Sequence, residues 1–178
     1  MSSLNIRPSR DEDVPALHAI YAQSVATETA SWENEPPTLE EFAERRRNIL
    51  AQGFPYFTAE LDGKPVGYSY ASSYRARIGY RFVVEDSVYV AQDAGGRGIG
   101  KVLMQTLIDE CARLGFRQMI AVIGDSANIR SIRLHQACGF EHVATFKSIG
   151  WKFGRWLDSV QMQRPLGSGA ESPTDGGV

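Results

Sequence analysis

The stretch VYVAQDAGGRGIGKVLMQ, residues 88–105, decides how the rest of the chain is read. A run of strand-forming residues leads in, a run with helical apolar spacing leads out, and GGRGIGK at residues 95–101 joins them. That junction holds four glycines and two cations. Small residues where a strand passes into a helix let backbone N–H groups face an anion, and the helix dipole adds to the attraction.

Three phosphate-binding templates compete for the junction. The pattern G-x-x-x-x-G-K-[ST] fits from Gly95 through Lys101 but then meets Val102, which has no hydroxyl for magnesium. This excludes a nucleotide hydrolase of that type. The pattern G-x-G-x-x-G, started at Gly96, ends on Lys101, and no acidic residue closes a strand at the expected distance downstream. The third template is a loop that holds a pyrophosphate on its own amides. Gly96, Gly98 and Gly100 permit close backbone approach, Arg97 and Lys101 add charge, and Ile99 opens the helix. Taken alone, the stretch reads equally well as a glycine-rich turn joining two elements.

Outward from the loop, the chain alternates strand and helix signals. LNIRP is a short opening strand, and a helix follows from about Asp11 with Val14, Leu17, Ile20 and Tyr21 on one face. TASWENEPP is a turn-rich loop. Thr38 and Glu41 form a capping box for a second helix, which Gly53 closes. YFTAEL and PVGYSYAS flank Asp62-Gly63, a hairpin signal. A polar loop with Arg75, Arg77 and Arg81 leads into RFVVEDSVYV. Beyond the glycine loop come a helix stopped by Gly115, a buried strand QMIAVI, a short helix in NIRSIRLHQACGF, and two final strands. The coarse order is βααββββαβαββ, an α/β fold in which antiparallel hairpins precede a strand–helix–strand unit.

At 178 residues the chain suits one domain, expected over residues 1–166, with a polar, glycine-rich tail at 167–178 expected to be disordered. A net charge of −2 gives no bulk attraction to nucleic acid or an anionic membrane. The apolar runs are too short to span a bilayer, and MSSLNIRPSRDEDV lacks the apolar core of a signal peptide. Cys111 and Cys138 make no disulfide framework and read as buried thiols. A cytoplasmic location is expected.

Two motifs taken together are more specific than either alone. The glycine loop after DSVYV, followed by Asn128, Ser131, Leu134-His135 and Gly139-Phe140 in NIRSIRLHQACGF, resembles the GCN5-related N-acetyltransferase superfamily. Within it, TASWENEPPT, YRFVVEDSVYV and KFGRWLD resemble the phosphinothricin and methionine sulfoximine acetyltransferases, over residues from about 4 to 165. The resemblance implies the superfamily fold: a mixed, mostly antiparallel central sheet flanked by helices, its strands splayed at the acetyl-CoA site. It implies acetyl-CoA as cosubstrate, a small amino-acid-like amine as acceptor, direct transfer, no metal, and a homodimer. The chain departs from the family pattern at Gly95, where relatives carry Arg or Gln. The amides remain, so a weaker grip on the cofactor is expected. The alternatives are a protein or peptide N-acetyltransferase and a non-catalytic acyl-CoA sensor.

Transfer to an amine needs a base, donors for a developing oxyanion, and a proton for the leaving thiolate. Glu85 is the expected base, a carboxylate in an otherwise apolar strand whose pKa burial would raise. Asp86 falls on the opposite face by strand alternation. The resemblance implies oxyanion and pantetheine contacts from the backbone at Val88, Tyr89 and Val90. It also implies pantetheine contacts from Asn128 and Ser131, which can equally cap their helix. His135, where many relatives carry Tyr, is the expected thiolate acid. For the acceptor, Arg75 and Arg81 are expected to clamp anionic oxygens, with Ile78, Gly79 and Tyr80 between them and Trp32 walling the methylene portion. A solvated basic loop and a core tryptophan are the plainer readings of the same residues.

Overall fold

In the computed structural model, which describes residues 3–171, the chain opens on strand β1 (Leu4–Pro8) and crosses to two helices, α1 (Val14–Thr27) and α2 (Leu39–Ala51). The capping box forms at α2: Thr38 Oγ1 accepts from the Glu41 amide at 3.2 Å, and Glu41 Oε2 accepts from the Thr38 amide at 2.7 Å. Strands β2 (Tyr56–Leu61) and β3 (Lys64–Ser73) follow as a hairpin. Its Asp62 and Gly63 take φ of 51° and 79°, the pairing that a tight right-twisted turn requires. Next come β4 (Val83–Val90), α3 (Ile99–Arg113), β5 (Gln118–Gly124), α4 (Ile129–Ala137), β6 (Glu141–Lys152) and β7 (Arg155–Pro165).

Three strands, not the four expected from sequence, lie between α2 and the glycine loop. The arginine-rich segment, expected as a polar loop, turns as a short 3-10 helix at Ile78–Tyr80. KFGRWLD, not read as a hairpin from sequence, is one: β6 and β7 meet at Phe153-Gly154 and pair from Lys152↔Arg155 outward. Past Leu166, which is buried, the expected disordered tail starts as an ordered turn in which the Gly169 amide donates to the Leu166 carbonyl. The rest of that expectation, residues 172–178, lies outside the described residues.

The described strands form one sheet in the order β1-β2-β3-β4-β5-β7-β6, antiparallel except for β4 beside β5. Helices α1 and α2 cover one face, where Leu17, Val25 and Phe42 pack on the stacked rings of Tyr56, Tyr68 and Tyr89. Helix α3 covers the other, with Leu107, Cys111 and Met104 over Met119, Ala121 and Met162. These two layers set the sides of β4. Val84 and Asp86 face the α3–α4 layer; Glu85 faces the α1–α2 layer, as does Tyr70, which lies opposite Ser87 on β3.

Candidate active site

The parallel pair is short. β4 and β5 are in register only from Val83↔Gln118 to Glu85↔Ile120. Beyond that point β4 stays with β3 through Val90↔Gly67, and β5 stays with β7 through Gly124↔Ser159. The two strands therefore part after Glu85, and the sheet opens as a seam at their C-terminal ends. In open α/β sheets that is where ligands enter. Two cavities meet there.

The larger, about 600 Å3, runs from the seam between the glycine loop and the start of α4. Val88, Tyr89, Val90, Gly96, Gly98, Ile99, Gly100, Lys101, Asn128 and Ser131 line it, all expected from sequence; Arg97, also expected, does not. Gly98 is the N-cap of α3, with φ of 77°, and no side chain caps the helix. Its first-turn amides are donors without a side-chain acceptor, beside Lys101, Arg130 and Arg133. Such a cradle fits the pyrophosphate of coenzyme A. The end of α4 is differently made: Asn128 Oδ1 accepts from the Ser131 amide at 3.2 Å, so Asn128 does cap its helix while lining the groove.

The smaller cavity, about 280 Å3, lies on the α1 side of the seam. Glu85, Asp86 and Ser87 of β4 form its floor with Tyr70, and Tyr21 of α1 and Ser31, Trp32 and Glu33 of the loop after it close it. The Glu85 carboxylate has no hydrogen-bond partner among the described residues. Burial, followed by the neighbouring Asp86 carboxylate, pushes its pKa up to about 7. A carboxylate so placed exchanges a proton near neutral pH.

Asp86 turns away from Glu85 toward α4. Its Oδ2 lies 3.0 Å from His135 Nε2, while His135 Nδ1 donates to the Ser131 carbonyl at 2.7 Å. Both ring nitrogens are engaged, and the residue is 3% exposed. Burial alone would lower the His135 pKa, but the charge and hydrogen bond of Asp86 and the Ser131 carbonyl together raise it. The imidazole expected as a free donor thus shares its proton with a carboxylate. Its ring still lines the smaller cavity.

The loop that carries Trp32 is tied down by a buried lysine. Lys152 is 1% exposed and donates from Nζ to the carbonyls of Glu28 (2.9 Å) and Ser31 (2.8 Å). Trp32 lies so close on β6 that a Cβ at Gly150 would fall inside its ring. Burial lowers the Lys152 pKa, against the pull of Glu33 and Glu28.

Of the expected acceptor residues, Trp32 alone lines the cavity around Glu85. Arg75, Ile78, Gly79, Tyr80 and Arg81 line neither cavity. Arg75 lies over the rings of Tyr74 and Tyr80, and Arg81 over that of Phe82, with Nη1 donating to the Ile78 carbonyl. Their cationic groups are folded onto the loop's own aromatics. Sequence reasoning missed Tyr21, Ser31, Glu33, Tyr70 and Ser87, because no motif spans these separate segments. It also passed over Arg130 and Arg133, although both stand inside the quoted NIRSIRLHQACGF and their charges at a helix start were visible.

The chain is similar to known proteins in sequence and in fold. The model of the acetyltransferase (GNAT) family matches residues 17–140. The chain is 52% identical over 164 residues to a phosphinothricin N-acetyltransferase of Alcaligenes faecalis, covering 92% of this chain and 83% of that protein. It is 38% identical over 172 residues to an L-methionine sulfoximine/L-methionine sulfone acetyltransferase of Pseudomonas aeruginosa, covering 96% of this chain and 99% of that one. The crystal structure of a phosphinothricin acetyltransferase from Sinorhizobium meliloti, in complex with AcCoA, matches with a TM-score of 0.94 at 45% identity, over 98% of this chain and 95% of that chain.

Proposed function

The chain belongs to the acetyltransferase (GNAT) family, and from that membership we propose that it acetylates the amino group of a small amino-acid-like substrate of the phosphinothricin, methionine sulfoximine or methionine sulfone type. The observation that carries this reading is Glu85, a carboxylate with its pKa near 7, set where the strands part and on the floor of the smaller cavity.

Acetyl-CoA, held by the α3 amides, Lys101, Asn128 and Ser131, would supply an activated acyl group and a thiol as leaving group. Glu85 takes the proton that the attacking amine must lose, directly or through a water. The Val90 amide, which faces the seam where β4 has no partner strand, stabilises charge on the carbonyl oxygen; the Tyr89 amide, expected to share this role, faces β3. His135, whose pKa Asp86 and the Ser131 carbonyl raise against burial, is the proposed source of the thiol proton. Neither cysteine supports an acyl-enzyme. Cys111 and Cys138 are 0% and 2% exposed, and burial pushes the Cys111 thiol up to about 12.

We also propose a cytoplasmic homodimer. The cytoplasm supplies acetyl-CoA and keeps thiols reduced. The second copy would sit on the β6–β7 hairpin, at the sheet edge, where Phe146, Ile149, Trp151 and Trp156 are each more than half exposed. Light scattering tests the dimer: a mass of one chain at micromolar concentration rejects it. The activity is tested by release of free thiol from acetyl-CoA with methionine sulfoximine, methionine sulfone, phosphinothricin and a peptide panel. Turnover of the three amino-acid analogues is expected. Turnover of peptides alone makes the protein a peptide acetyltransferase, and CoA binding without turnover of any amine makes it a sensor.

A further inference from the structure

Gly95 gives the glycine loop no side chain at the mouth of the larger cavity. That space is nevertheless taken. A Cβ at Gly95 would lie 3.4 Å from Nη2 of Arg130 and 3.9 Å from its Cζ. Arg130 comes from another element, the first turn of α4, and lines the same groove as Gly95, Gly96 and Lys101. Its guanidinium makes no ion pair or hydrogen bond with the described residues, whereas nearby Arg155 is held by Asp125 at 2.6 Å. An arginine without an acid partner among the described residues, lining the groove that the uncapped α3 amides also line, has the donor geometry that binds phosphate in a fork.

We propose that Arg130 reaches across the groove to hold a phosphate of coenzyme A over Gly95, so that the glycine loop and α4 grip the cofactor jointly. This rests on the acetyl-CoA reading above. It replaces the weaker grip expected from Gly95 with one supplied from across the groove by α4. It also implies that residues 95 and 130 compete: an arginine introduced at 95 would collide with Arg130 and gain room only once Arg130 is shortened.

The test uses the full chain and isothermal titration with CoA, with inorganic pyrophosphate as a competing probe, on wild type, R130A, R130Q, G95R and G95R/R130A. A charge-assisted phosphate contact predicts a loss of roughly 10-fold or more in CoA affinity for both Arg130 variants. The loss should fall on KM for acetyl-CoA and not on kcat, and pyrophosphate should compete less well. G95R alone should give no gain, and G95R/R130A should recover most of the loss. CoA affinity of R130A within twofold of wild type overturns the proposal while leaving the acetyltransferase reading intact. So does a loss in kcat with KM for acetyl-CoA unchanged. A wild-type protein that binds no CoA overturns both. Arg130 is exposed on its helix, so unchanged melting of R130Q should accompany the expected result.

Discussion

On one side of the seam, residues 88–101 and the first turn of α4 supply most of the donor groove. They act largely through backbone: uncapped amides, close-approaching glycines and a strand edge. On the other side, the acceptor pocket collects single side chains from α1, the loop after it, β3, β4, β5 and α4. A groove made of main chain needs a particular spacing of small residues, and that spacing is written locally. A pocket made of side chains needs only that six distant segments arrive together, which the fold arranges and no short motif records.

Substitutions can break that contrast. The largest effect is expected at Glu85, where the two halves meet. E85Q should lower kcat by roughly 100- to 10,000-fold at pH 7.5, with CoA affinity by titration calorimetry unchanged. Undiminished turnover would remove Glu85 as the base. The wild-type rate should rise through about pH 7 as Glu85 ionises. The sign for stability is opposite. Its folded pKa lies above the unfolded value, so ionisation costs the fold increasingly above the unfolded pKa and fully above about 7. E85Q should therefore melt higher than wild type at pH 8 and no higher at pH 4.

The next effect is confined to the acceptor half. G150A pushes a methyl into the Trp32 ring and should raise KM for the amine by about 10-fold, with KM for acetyl-CoA steady and stability lowered by roughly 1–3 kcal/mol. An equal rise in both KM values would mean the halves are not separate. D86N should move the acid limb of the pH–rate profile below about 7, because it removes the charge that helps hold Glu85 protonated. A limb that stays put would show that burial alone sets it. The smallest effect is expected from R75A, within about twofold on every constant, since Arg75 lies over its own loop's rings. A loss above tenfold would instead show the arginine loop reaching the pocket of a second copy.

These expectations follow the legibility of the chain. The glycine loop, the Thr38 capping box, the Asp62-Gly63 turn and the alternation that separates Glu85 from Asp86 are local, and each could be read from a few residues. The 3-10 turn at Ile78–Tyr80 could not. Three arginines suggested a clamp, but three nearby rings, Tyr74, Tyr80 and Phe82, offered the guanidinium groups stacking partners at no cost in chain length. The engagement of His135 by Asp86 joins residues 49 positions apart and depends on how α4 docks. Lys152 was hidden for a further reason. A lysine in a strand pattern reads as solvent-facing, and only the carbonyls of Glu28 and Ser31, brought from the far end of the chain, make its burial tolerable.

The early parting of β4 from β5 has a consequence for the breathing of the molecule. A sheet that stops pairing halfway leaves rungs of its ladder to be supplied from outside, and the β4 edge past Glu85 is such a gap. With the cofactor absent, those rungs should exchange their amide protons with solvent far faster than the β3-facing amides of the same strand. When the pantetheine arm lies in the gap it acts as a short surrogate strand. Cofactor loading and completion of the sheet then become one event, and slower exchange at the seam-facing amides of Val88 and Val90 would report it.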